Sequence, residues 1–165
     1  MPERELFIRW LELTAFLPAM QFSISPWQYD PEVVRLSREY VTLHETTIYE
    51  EIVRSSESYV AGNAELGAVR PIWWVVSGGA KDQRAYEVDD QFMVGDRYLV
   101  APVVENGTRH RDVYLPGPDW REGDGKQIWW KSMLRAEEAI VLGGRMLFDY
   151  PVALEEVAWW EMVLV

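Results

Sequence analysis

DDQFMVGDRYLVAPVVENGTRHRDVYLP, residues 89–116, is where the chain changes character. After Gly95 come short apolar runs, Tyr98 to Val104 and Arg111 to Leu115, parted by Asn106-Gly107. Gln127 to Trp130, Ala139 to Leu142 and Met146 to Tyr150 continue the series at roughly ten-residue spacing, split by Gly, Pro and Asp. Short strands with turn residues between them predict an antiparallel sandwich. The pattern just before Gly95 is mixed and reads as a short helical turn over Asp89 to Phe92.

Upstream the punctuation is helical. Glu5 to Met20 carries Leu6, Ile8, Trp10, Leu11, Leu13, Phe16 and Leu17 around most of its circumference, which predicts a largely buried helix ended or bent by Pro18. A loop through Gln21, Ser23, Ser25 and Trp27 follows. Asp30-Pro31 then supplies an N-cap acceptor and a proline at the first helical position. Val33, Leu36, Tyr40, Leu43, Thr47, Ile48 and Ile52 mark the apolar face of a helix closing near residue 60, before Gly62-Asn63. Ala68 to Val76 (AVRPIWWVV) reads as a buried strand, and Gly78-Gly79 as a loop. Helices come first and strands last.

The chain has 165 residues and a formal charge of −11 from 27 acidic and 16 basic side chains. It is shorter than the roughly 250 residues of a complete TIM barrel. The acidic excess runs along the whole length with no basic stripe, which argues against a nucleic-acid partner. Cysteine is absent, so there is neither a disulfide framework nor a thiol nucleophile. The two histidines, His44 and His110, have no metal-ligand spacing, and no apolar run is long enough for a membrane span.

Candidate chemistry is thin. Glu50-Glu51, Asp89-Asp90, Glu137-Glu138 and Glu155-Glu156 are adjacent carboxylates, but neighbours diverge on a helix and on a strand, so adjacency does not converge two of them on a substrate. Most read as solvated surface. Ser23 and Ser25 lack a nearby histidine or a nucleophile elbow. His44 reads as a packed, hydrogen-bonded residue, and Gly78-Gly79 and Gly143-Gly144 as turns outside any phosphate-binding frame. The pairs Trp73-Trp74, Trp129-Trp130 and Trp159-Trp160 read as core rather than ligand platforms.

Four blocks in order, ELFIRWLELTAFLPAMQFSISPW (Glu5–Trp27), VRPIWWV (Val69–Val75), the Asp89–Pro116 stretch and DYPVALEEV (Asp149–Val157), resemble the C-terminal part of glycoside hydrolase family 31, closest to its myogenesis-regulating branch. The resemblance covers nearly the whole chain. It implies the C-terminal end of a (β/α)8 TIM barrel over residues 1–95, with Val69 to Trp74 as the last barrel strand, and a proximal antiparallel β-sandwich over 96–165. It also implies retaining chemistry on terminal α-linked hexosides by two carboxyls, carried by motifs with no match in this chain. No catalytic residue is therefore expected here, the chain alone is expected to be inactive, and Met1-Pro2-Glu3-Arg4 reads as a start placed inside the barrel.

By the same resemblance Gln21 and Ser23 fall at the sugar-binding end of the barrel; the alternative reading is that Ser23 only caps a turn. Many α-glucosidase members have Arg-Asn-His there. Met20-Gln21-Phe22-Ser23 replaces it, which favours α-galactosides over α-glucosides. The expected partners are an oligosaccharide or glycoconjugate substrate and, in a homo-oligomer, a second copy. No cofactor or metal is expected, and the implied location is the secretory pathway, with any membrane anchor outside this segment. The rival reading is a non-catalytic carbohydrate- or partner-binding β module, or a pseudoenzyme.

Overall fold

The computed structural model describes residues 1–64, 67–75, 83–117 and 127–164. Helix α1 spans Arg4–Thr14 and not Glu5 to Met20. Its last bonds tighten to i→i+3, Phe16 N to Leu13 O and Leu17 N to Thr14 O, because the residue before Pro18 is pushed out of helical geometry. A 3₁₀ turn, Pro26–Gln28, leads into α2, Pro31–Leu43. Asp30 caps α2 as expected, its Oδ1 accepting from Val33 N at 2.9 Å. Replacing Asp30 with Ala should cost about 1 kcal/mol of stability in urea unfolding, with most of the loss regained by Asp30→Asn.

The rod continues through a π-helical turn, His44–Ile48, into α3, Tyr49–Val60. Tyr40, His44, Ile48 and Ile52 recur every fourth residue, which on a 3.6-residue helix drifts by about 40° per step. The wider π turn absorbs that drift and keeps the stripe on one face. Beyond α3, Gly62 takes a positive φ of 73°, with Gly62 N bonded to Tyr59 O and Asn63 N to Ser58 O. This is a Schellman ending at the place the Gly62-Asn63 pair marked.

The strands are β1 Val69–Pro71, β2 Phe92–Val94, β3 Tyr98–Ala101, β4 His110–Leu115, β5 Ile128–Ser132, β6 Val141–Leu142, β7 Arg145–Pro151 and β8 Ala158–Leu164. Six form one sheet in the order β1-β2-β3-β8-β5-β6, and β4 pairs with β7 in a second. Every pairing among the described residues is antiparallel.

This corrects the barrel reading of Val69 to Trp74. Only Val69–Pro71 is extended, and it pairs antiparallel with β2 as an edge strand, a place that tolerates Pro71 without its N–H. Ile72–Val75 coils into a helical turn, α4, which leaves Trp73 and Trp74 partly exposed in an edge-to-face pair at 5.5 Å. The helical turn expected over Asp89 to Phe92 lies earlier, as α5, Arg84–Glu87. Gly78-Gly79 and Val76 fall outside the described residues.

The large sheet is buried on both faces. Ile8, Phe16, Leu36, Ile48, Tyr98 and Trp159 form a core between it and the helices. Met93, Leu99, Tyr114, Trp130 and Trp160 form a second core between it and the β4–β7 pair. Gln91 ties the two sheets: its Nε2 donates to Tyr114 O and its Oε1 accepts from Tyr114 N, both at 2.9 Å.

Candidate functional site

Helix α1 docks through Ile8, Leu11 and Ala15, all buried. With apolar residues all round, it has more apolar surface than one interface covers, so Leu6 and Trp10 face outward, Trp10 with 56% of its surface exposed. The chain turns back after Pro18 and lays Gln21, Phe22, Ser23 and Ile24 beside them. The result is a hollow of about 320 Å³ walled by Leu6, Phe7, Trp10 and Thr14 on the helix and by Gln21 to Ile24 on the loop. Gln21 and Ser23, singled out from the sequence, thus stand at one hollow, and among the described residues neither side chain is hydrogen-bonded. An amide and a hydroxyl beside two exposed aromatic rings can donate to and accept from a polyhydroxylated ligand while the rings cover its C–H faces.

The buried side of the same helix holds a polar clasp. Arg9, 5% exposed, donates from Nη1 to Glu12 Oε2 at 3.1 Å, to Ala153 O at 3.1 Å and to Glu156 O at 3.3 Å, and from Nη2 to Thr108 O at 2.9 Å. Tyr40 OH donates to Glu155 O at 3.0 Å. On the outer side, Glu5 accepts from Gly107 N at 2.8 Å and from Arg109 at 2.7 Å. These bonds fix α1, and so the hollow, against the β3–β4 and β7–β8 loops.

Glu12 is wholly buried. Burial pushes its carboxyl from 4.5 up to about 8, outweighing the opposing pull of Arg9. The folded chain therefore holds a proton that the unfolded chain releases, so stability from this group is full below pH 4.5 and falls until about pH 8. Glu12→Gln removes the dependence, so its stability relative to the wild type should rise by about 2–4 kcal/mol between pH 5 and pH 8. Urea unfolding across that range checks this; a difference independent of pH would mean that Glu12 titrates normally.

The other candidates are committed to structure. His44 Nδ1–H donates to Ala15 O at 2.9 Å, as expected for a packed histidine. Asp90 pairs with Arg111 at 2.7 Å. Glu51, expected on the surface, is 3% exposed beneath the β2–β3 turn. Trp130 and Trp160 fill the inter-sheet core, and Trp159 packs edge-to-face on Phe16 at 5.3 Å. Gly143-Gly144 forms the β6–β7 turn. Among the described residues no group of three or more His, Cys, Asp or Glu could hold a metal ion, and no helix is long and apolar enough to cross a membrane.

Residues 65–152 match the pattern of the glycosyl hydrolase family 31 C-terminal domain. The chain belongs to glycosyl hydrolase family 31. The myogenesis-regulating glycosidase of Mus musculus is 42% identical over 96% of this chain and 20% of its own length. The SITS-binding protein of Tetronarce californica is 38% identical over 94% of this chain and 20% of its own. The family 31 chain thus spans about a fifth of the length of these relatives.

Solved family 31 structures share the fold at lower identity. A GH31 α-xylosidase from a soil metagenome superposes with a TM-score of 0.75 at 21% identity, over 95% of this chain and 24% of its own. The cycloalternan-degrading enzyme of Trueperella pyogenes gives 0.77 at 20%, over 99% and 22%. The antiparallel domain described above is the C-terminal domain of this family.

Sequence reasoning missed Arg9, Glu12 and Trp10. Arg9 and Glu12 sit three apart on an apolar helix and look like an exposed pair. The available signal was the helix itself, whose apolar residues leave no polar face to host that pair.

Proposed function

We propose that this chain is the C-terminal part of a retaining α-glycosidase that hydrolyses terminal α-linked hexosides, α-galactosides first. The observation that carries the proposal is the meeting of Gln21 and Ser23, with uncommitted polar groups, at one hollow beside Trp10. In the whole protein, the helical residues 1–64 would lie on the barrel side, whereas β1 and β2 stand with residues 96–165 in the antiparallel domain. Two carboxyls from upstream of this segment would do the chemistry. One attacks the anomeric carbon as the other protonates the departing oxygen, and water then releases the sugar with its configuration retained.

Several relatives are named for α-linked sugars, among them an α-xylosidase of Saccharolobus solfataricus and the neutral α-glucosidase C of Mus musculus. A GH31 dextranase of Flavobacterium johnsoniae was solved with isomaltotriose. A place in the secretory pathway belongs to the same reading.

The test uses full-length protein with aryl α-galactoside and aryl α-glucoside, following product configuration by NMR. We expect turnover of the galactoside with retention, and a rise of about tenfold in KM for Gln21→Ala or Ser23→Ala, the size of one or two lost hydrogen bonds. Absence of turnover on both substrates would hand the site to the non-catalytic sugar-binding reading, which the exposed aromatic rings around the hollow favour.

A further inference from the structure

We propose that Trp27 and the cleft beside it form a second saccharide platform, holding further units of a neutral oligosaccharide whose terminal sugar lies in the Gln21–Ser23 hollow; this rests on the reading of that hollow as a sugar site. Trp27 is 76% exposed, an unusual position for the largest apolar side chain. It is not on a loose loop. Gln28 N bonds Ser25 O at 3.0 Å, Tyr29 N bonds Pro26 O at 3.1 Å, and Pro26 beneath is buried. The backbone that carries the indole is held, so little backbone order is lost when a ligand covers it.

The cleft beside Trp27 has a volume of about 670 Å³, within the range of small-ligand sites. Its wall carries Tyr29, Asp30, Arg35, Arg38 and Glu39. Arg35 is paired with Glu32 and Glu39, and Asp30 with Arg4 at 2.7 Å. Asp30, Arg35, Arg38 and Glu39 balance to no net charge on this wall, although Arg38 has no ion-pair partner among the described residues, and that balance suits neutral hydroxyls better than an anionic ligand. The indole face is electron-rich and attracts the polarised C–H bonds of a sugar ring.

The cleft also adjoins the first hollow. Phe7, which lines that hollow, lies 6.4 Å from Phe22 on one side and 4.6 Å from Tyr29 on the other, ring centre to ring centre. Tyr29 in turn walls the cleft with Trp27. Phe22, Phe7 and Tyr29 make an aromatic row between two neighbouring hollows, with Trp27 on the wall of the second, and an extended ligand of several rings would follow it.

Calorimetric titration of the full-length protein with α-linked mono-, tri- and pentasaccharides tests this. In the wild type, affinity should rise by about tenfold or more from mono- to trisaccharide. In Trp27→Ala that gain should shrink to less than about threefold, and Trp27→Phe should recover most of it. An equal gain in wild type and Trp27→Ala, or no gain in the wild type, overturns the platform. Aryl hexosides carry a single sugar, so their turnover by the wild type reports on the hydrolase reading alone and its failure is distinguishable from that of the platform.

Discussion

Gly95→Ala is expected to cost about 3–5 kcal/mol, the sum of a left-handed backbone penalty and the disruption of a buried pair, and to lower the melting temperature by roughly 10 °C. Gly95 turns the chain from β2 into β3 with φ at +57°. A Cβ there would lie 1.8 Å from Glu51 Oε1 and 2.5 Å from Ser55 Oγ. Glu51 cannot simply swing aside. It is 3% exposed, its Oε1 accepts from Asp96 N and Ser55 Oγ at 3.2 Å, and its Oε2 pairs with Arg54. Moving it breaks the link between α3 and the β2–β3 turn, which Arg70 supports from below by bonding Gly95 O and Asp96.

Gly62→Ala is the control. Gly62 has φ at +73° but nothing within 4 Å of an added Cβ, so only the backbone penalty of about 1–2 kcal/mol applies. Urea unfolding of both variants compares them directly. Equal losses would mean that the Glu51 contact contributes nothing.

Arg9→Ala is the second large loss, about 3–5 kcal/mol by urea unfolding. The substitution takes the donor from the part-buried carbonyls of Thr108, Ala153 and Glu156 and from Glu12, and Glu12 is wholly buried. The loss should be greater at about pH 8 than at about pH 5, because an ionised Glu12 without Arg9 is an unpaired buried charge whereas a protonated one is not. Adding Glu12→Gln should remove that pH dependence and leave the cost of the three carbonyls, an interaction energy readable from a double-mutant cycle. A loss under about 1 kcal/mol would show that the clasp is only as strong as a surface pair.

What could be read along the chain was what neighbouring residues decide between themselves. Pro18 stopped α1, Asp30-Pro31 opened α2, Gly62-Asn63 closed α3, and five of the strands after Gly95 lie close to the apolar runs that marked them. The Gln21–Ser23 loop was legible through resemblance, but not its wall. Trp10 joins the hollow only because α1 docks by its opposite face.

Two strands were not legible, and for one reason. β8, AWWEMVL, sits at the centre of the sheet between β3 and β5, yet it lacks an apolar–polar alternation because Trp159 faces the helices and Trp160 faces β4 and β7. β2 likewise puts Met93 into one core and Val94 into the other. Alternation reports a strand with one wet face, and a sheet covered on both sides erases it.

By itself, then, the sequence determined where α2 begins and where α3 ends, and the all-antiparallel character of the second half. Only the tertiary structure decided which strand stands in the middle, that Val69–Pro71 joins the same sheet, and that Arg9 and Glu12 are core residues. Those outcomes depend on contacts such as Arg9 to Glu156, 147 residues apart. Whether a charged pair is buried or a strand is covered twice is set by what arrives from elsewhere in the chain, and local pattern carries no record of it.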